Sequence, residues 1–165
     1  MATTRFKGTP VSTSGELPAV GAQAPDFTLV AADLGEKTLA SFAGKKKVLT
    51  INPSYDTGVC QATARRFNER LGQRGDAVAL LVSADLPFAQ ARFCEAEGLA
   101  AAVPLSSFRS RFAADYGVEL VDGPLRGLTA RAVVVLDEKD VVRHVELVPE
   151  ITTEPDYAAA LAALG

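Results

Sequence analysis

The sequence predicts an α/β fold: a central mixed β-sheet flanked by helices, with an N-terminal β-hairpin. Three features of the 165 residues carry that expectation. Short apolar, β-branched runs at 48–51, 77–83 and 132–136 read as strands, and the first two lead into helix-length segments. Glycine and proline punctuate the junctions. A strand–turn–strand pattern near the C-terminus adds an antiparallel pair to a parallel βαβ unit. At 48% hydrophobic the chain can bury a core without disulfide staples. No internal repeat or low-complexity linker divides it, so residues 1–165 read as one domain.

Taken in order, residues 9–20, with Ser14-Gly15 in the middle, read as the hairpin, and 27–30 after Pro25-Asp26 as a short strand. The Lys45-Lys46-Lys47 run reads as a solvated turn before the strand that ends at Pro53. Asp56 or Thr57 can cap the next helix, which runs to about Leu71 before Gly72 and Gly75. Within it Cys60, Ala64, Phe67 and Leu71 share one side. Residues 77–83 are continuously apolar, as in a strand covered on both faces. A second helix follows Pro87, carries Cys94 and ends near Gly98. Strands at 132–136 and 141–145 flank an Asp137-Glu-Lys-Asp140 turn, and a last helix begins from Thr153. Strand, helix, strand, helix, strand pair and helix is the plan of a thioredoxin-like fold.

Charge narrows the function classes. A formal net charge of −3 argues against nucleic acid or an acidic membrane surface as partner. No apolar stretch approaches a membrane span, and the N-terminus lacks the apolar core of a secretory signal, so a cytoplasmic protein is expected. Two cysteines in a reducing compartment point to catalysis or redox sensing before permanent cross-linking.

The chemistry concentrates in Pro53-Ser54-Tyr55-Asp56-Thr57-Gly58-Val59-Cys60. Cys60 falls in the first turn of a helix, where free backbone N–H groups and the positive end of the helix dipole favour a thiolate. An ordinary cysteine, with a pKa of roughly 8.5, is only a few per cent ionised near neutrality; lowered to about 6.5, it is mostly nucleophilic. The position is built for reactivity.

Pro53-x-x-x-Thr57-x-x-Cys60 resembles the active-site signature of the peroxiredoxins. Longer stretches resemble their thiol peroxidase branch, the atypical two-cysteine peroxiredoxins of bacteria. These are Ser83-Ala-Asp-Leu-Pro-Phe-Ala-Gln90 leading to Arg92-Phe93-Cys94, then Asp122-Gly-Pro-Leu125 before Gly127-Leu128, then Ala130-Arg131-Ala132-Val133-Val134-Val135, and Glu150-Ile-Thr-Thr-Glu-Pro-Asp-Tyr157. The similarity spans nearly the whole chain, from Phe6-Lys7-Gly8 to the last helix.

The resemblance implies a peroxidase that reduces hydrogen peroxide and organic hydroperoxides, with thioredoxin as electron donor and a homodimer as its assembly. It implies Cys60 as peroxidatic and Cys94 as resolving cysteine, joined in one chain as a disulfide. Splitting an O–O bond needs a thiolate, a polarised peroxide and stabilisation of the departing oxyanion. Thr57 can aim its hydroxyl at the sulfur or the peroxide. Arg131 offers a fixed-charge fork, and Pro53 a wall with no N–H donor. Disulfide formation requires Cα atoms within roughly 7 Å, so cysteines on separate helices imply local unwinding on oxidation.

Blander readings stand beside these. Either cysteine can be core filling, Thr57 a helix cap, Asp56 a cap or subunit contact, and Arg131 a strand-edge charge. Lone His144 reads as exposed or satisfied, with no cluster that suggests a metal, and Phe67, Phe88 and Phe93 as core or pocket lining. No cofactor is implied. A thiol–disulfide oxidoreductase is disfavoured because no Cys-x-x-Cys occurs; a peroxide sensor using the same pair stays open. The chain also departs from the family pattern: Asn52 stands where an apolar aromatic is usual, and Tyr55 where an aliphatic residue is usual. Both flank the reactive loop, so substrate preference is where the departure should tell.

Overall fold

The structure is a computed structural model that describes residues 1–165. Strands β1 (Thr3–Phe6) and β2 (Thr9–Ser12) form an antiparallel hairpin. Its turn is Lys7-Gly8, with φ of 51° and 83°, the mirror-image geometry whose twist matches that of the strands. The hairpin thus exists but lies earlier than residues 9–20. Ser14-Gly15 is no turn between strands, since Ser14 N–H bonds Glu119 C=O across the molecule at 2.8 Å.

There follow β3 (Leu29–Ala31), β4 (Glu36–Lys37), β5 (Lys46–Ile51), α1 (Gly58–Leu71), β6 (Ala77–Ser83) and α2 (Pro87–Glu97). The chain closes with β7 (Ala102–Ser106), α3 (Phe112–Asp115), β8 (Ala132–Leu136), β9 (Val142–Leu147) and α4 (Tyr157–Ala162). One seven-stranded sheet has the order β4-β3-β7-β6-β5-β8-β9. Crossovers through α1 and α2 keep β5, β6 and β7 parallel, while β8 runs antiparallel to β5. The mixed, thioredoxin-like sheet is the architecture expected.

Strand β7 gave no sequence signal because Pro104 stands in its middle. It is tolerated since β3 pairs only with Leu105 and Ser106, beyond the position that lacks an N–H. Helix α4 starts at Tyr157, later than Thr153, because the Asp156 carboxylate caps it by accepting the Ala159 N–H at 3.0 Å. His144, opposite Val135, is half-buried with no partner for Nε2, so it is neither exposed nor satisfied.

Alternation along the central strands divides the interior in two. Leu49, Ile51, Leu80, Val82 and Val134 face one side with Phe112 and Tyr116. Val48, Ala79, Leu81, Val133 and Val135 face the other, against Cys60, Ala64, Phe67 and Leu71 of α1. Five inward residues anchor α1, whereas only Pro87 and Gln90 are fully buried on α2. The two cysteine-bearing helices are therefore held unequally.

Lys47 is not in a solvated turn. It lies inside β5 with 0% of its side chain exposed, and its ammonium donates to Asp140 Oδ1 at 2.6 Å and to Lys45 C=O at 3.1 Å. A charge inside the sheet is tolerable only with such partners. Asp140→Asn, which keeps the left-handed backbone at that position (φ 63°), should lower the unfolding free energy by about 3 kcal/mol in a urea titration. A change within a few tenths of a kcal/mol would mean that the pair contributes nothing.

Candidate active site

Strand register brings the first pieces together. Ile51 pairs with Ala132 across the β5–β8 ladder, so the next residues outward, Asn52 and Arg131, face one another. Arg131 is buried, with its guanidinium engaged on two sides: Nη1 donates to Asn52 Oδ1 at 2.8 Å and Nε to Ile151 C=O at 2.7 Å. Its Nη2 makes no hydrogen bond within the chain. The Ile151 carbonyl is fixed in turn by the hairpin, because Ile151 N–H donates to Arg5 C=O and Arg5 N–H to Pro149 C=O. Glu150 accepts the N–H groups of Lys7 and Gly8, and these bonds, that of Gly8 first, hold its carboxyl below the usual range.

The reactive loop supplies the opposite wall. Thr57 is the N-cap of α1 by position, with extended backbone, but its hydroxyl donates to Ser54 C=O at 3.1 Å and caps nothing. Asp56 is exposed and does not cap either. The first helical bond is Gln61 N–H to Thr57 C=O, leaving the N–H groups of Gly58, Val59 and Cys60 without acceptors. A cavity of about 170 Å³ opens here, with Phe6, Pro53, Leu125, Leu128 and Ile151 as its apolar lining. Ser54, Thr57, Gly58, Val59, Arg131 and Thr152 complete it. Cys60, next along the helix, is 0% exposed. Four other surface hollows are larger, about 300 to 480 Å³, but none is lined by Arg131 or the reactive loop. Only that of about 300 Å³ touches a cysteine, Cys94, so the chemistry favours the small one.

Thus Pro53, Thr57 and Arg131 share one cavity beside Cys60, while Cys94 lies apart. Both thiols are free. Cys94 sits in the last turn of α2, where Gly98 adopts the left-handed C-cap (φ 66°) and Leu99 N–H returns to the Cys94 carbonyl. Partial burial pushes its thiol up to about 11. Phe67 is core and Phe93 packs inside, but Phe88 is 67% exposed and lines nothing near the cysteines.

Asn52 and Tyr55, read from the sequence only as departures flanking the loop, prove to be structural supports of the site, and Asp85 escaped the sequence reading altogether. Asn52 is the acceptor that orients Arg131; a polar residue ending a buried strand was the available signal. Its Nδ2 donates to the Tyr55 hydroxyl at 2.8 Å and to Thr50 Oγ1 at 3.1 Å, so the two departures from the family pattern touch. Tyr55 is buried and stacks on Phe93 (centroids 5.1 Å apart, planes at 19°). Burial above all, then the Cys60 thiol, raises its phenol well above the usual range. Asp85 ties the loop to the start of α2, accepting from Ser54 Oγ, Tyr55 N–H and Ser83 Oγ at 2.8 Å each.

Known proteins fit this geometry. A profile of the Redoxin family matches residues 19–161. A thiol peroxidase of Corynebacterium glutamicum is 51% identical over 164 residues, which cover 99% of both chains. One of Mycobacterium bovis is 53% identical over all of this chain and 99% of its own. The chain belongs to the thiol peroxidase branch of the peroxiredoxins. Among solved structures, a peroxiredoxin-like protein from Aquifex aeolicus superposes with a TM-score of 0.93 at 39% identity, covering 98% of this chain and 95% of its own. Thiol-dependent peroxidase activity is the shared chemistry. No helix is long and apolar enough to cross a membrane.

Two expectations follow from the site. Asn52→Leu strands the Arg131 Nη1 donor and should lower unfolding free energy by about 2 kcal/mol. Adding Arg131→Met should cost less than the sum of the singles, and strict additivity would mean the 2.8 Å bond is energetically empty. In a Cys60→Ser variant, alkylation of Cys94 should rise with pH toward a midpoint near 11, because burial disfavours its thiolate. A midpoint near the roughly 8.5 of free cysteine would contradict that burial.

Proposed function

We propose that the protein reduces hydrogen peroxide and organic hydroperoxides through Cys60, resolves the product with Cys94, and is recycled by thioredoxin. One observation carries the reading: Arg131, Pro53, Thr57 and the first two residues of α1, Gly58 and Val59, whose N–H groups are unpaired, line one cavity next to Cys60 in the chain. The apolar lining from Phe6, Leu125, Leu128 and Ile151 suits the carbon chain of an organic hydroperoxide. The cavity is small, so a compact peroxide also fits.

The Cys60 thiolate attacks the nearer peroxide oxygen and the O–O bond breaks. That oxygen stays on sulfur as the sulfenic acid; the other leaves with the O–O electron pair and takes a proton, giving an alcohol or water. Arg131 Nη2 and the helix N–H groups stabilise the departing negative charge, and Pro53 excludes water without competing as a donor. The Cys94 thiol then attacks the sulfenic sulfur, forming the disulfide and releasing water. A dithiol reductant of the thioredoxin type exchanges with this disulfide, restoring both thiols as its own are oxidised. Weak anchoring of α2 supports Cys94 as the partner that moves.

A homodimer and thioredoxin as the physiological donor enter from the family. Exposed Leu86, Phe88 and Phe108 offer apolar surface for association. A peroxide sensor would use the same first two steps, but the complete cavity favours turnover.

Peptide mass mapping after one equivalent of peroxide should find Cys60 linked to Cys94. With thioredoxin and its reductase present, turnover should be sustained, abolished in Cys60→Ser, and limited to about one equivalent in Cys94→Ser. Normal turnover by Cys60→Ser would refute the assignment.

A further inference from the structure

We propose that Tyr55 is a positioning residue that governs both halves of the cycle: its hydroxyl steadies Arg131 through Asn52, and its ring brakes the release of Cys94. The inference rests on the roles given above to Cys60 and Cys94.

The hydroxyl arm is a chain of two short bonds. Tyr55 Oη accepts Asn52 Nδ2 at 2.8 Å, and Asn52 Oδ1 accepts Arg131 Nη1 at 2.8 Å. All three side chains are buried, so a lost partner is not replaced by water at no cost. Asn52 keeps its amide plane because the bonds to Tyr55 and Thr50 fix Nδ2 on one side, which aims Oδ1 at the guanidinium. Removing the phenol oxygen loosens that plane, and with it the orientation of the cavity-lining Arg131.

The ring arm reaches α2. Neither of its fully buried residues, Pro87 and Gln90, lies in the last turns that carry Cys94. Those turns are held by the Phe93 ring stacked on Tyr55, by Cys94 and the buried Leu99 packed in the same core cluster, by the surface pair Arg65–Glu97 at 3.0 Å, and by the Gly98 cap. An exposed ion pair contributes little, and Leu99 lies beyond the Gly98 cap, so the stack is the aromatic anchor within the helix next to Cys94. An aromatic pair of this kind is worth about 1 kcal/mol beyond its buried area, equivalent to roughly a fivefold shift in an opening equilibrium. Cys94 must leave its helical position to reach a sulfur in the first turn of α1. The stack therefore opposes resolution, prolonging the life of the sulfenic acid and its exposure to a second peroxide.

Two rates separate the arms, both read by rapid quench and mass spectrometry of the full chain: oxidation of Cys60, and formation of the disulfide. Tyr55→Phe keeps the ring and loses the hydroxyl. Its second-order constant for peroxide should fall about fivefold, with disulfide formation within twofold of the parent. Phe93→Leu removes the stack from the other side, so disulfide formation should rise about fivefold while oxidation of Cys60 stays unchanged. Tyr55→Leu should show both effects, and less sulfinic acid at high peroxide. A merely structural role would move both rates together in every variant, and that result overturns the proposal. So does disulfide formation at or below the parental rate in Phe93→Leu, the variant that leaves the Asn52 network intact. If the unsubstituted protein forms no Cys60–Cys94 link, the functional reading and this inference fall together; with the link present, only the role of Tyr55 is at stake.

Discussion

A buried guanidinium needs partners for its N–H groups, and the end of this sheet is organised around that requirement. Two separate parts of the chain bond Arg131, and a third holds one of them in place. The β5–β8 register brings Asn52 opposite, the segment after β9 brings the Ile151 carbonyl, and the hairpin holds that segment in place. The hairpin is thus part of the site's support, and it also gives Phe6 to the cavity wall. The positive charge is spent on two neutral acceptors, with no carboxylate bonded to it. It therefore remains available to an anion arriving in the cavity.

Reactivity and mobility are divided between the two helices. α1 is pinned along its length by Cys60, Thr63, Ala64, Phe67 and Leu71, so the helix start that presents its free N–H groups is rigid. α2 is pinned mainly at its beginning, by Pro87, by Gln90 and by the Asp85 carboxylate that grips the reactive loop. Its far end is held by a stack, a glycine cap and the buried Leu99 just beyond it. A nucleophile benefits from a fixed socket, and a resolving thiol from a segment that opens at low cost. The protonated state favoured by burial at Cys94 suits a group that waits its turn.

Much of this was legible in the residues. The seven-residue apolar run became a strand buried at every position, and α1 runs from just after Thr57 to just before Gly72, the bounds the sequence indicated, although the Thr57 hydroxyl caps nothing. Pro53, Thr57 and Cys60 lie within eight residues, so local structure alone brings them near one another. Other elements were illegible for identifiable reasons. Pro104 masked β7, since its tolerance depends on where the neighbouring ladder ends. Lys47 looked like solvent-facing charge because its partner Asp140 lies 93 residues away.

By itself the sequence determined the order of strands and helices, the position of a cysteine at a helix start, and the second cysteine on a later helix. These follow from periodicity, turn chemistry and capping, which act over a few residues. Only the tertiary structure decided that Asn52 faces Arg131, that Tyr55 lies against Phe93, and that Asp85 joins the loop to α2. Each of those contacts is fixed by strand register or by packing between distant segments, and a one-residue slip in either would undo it.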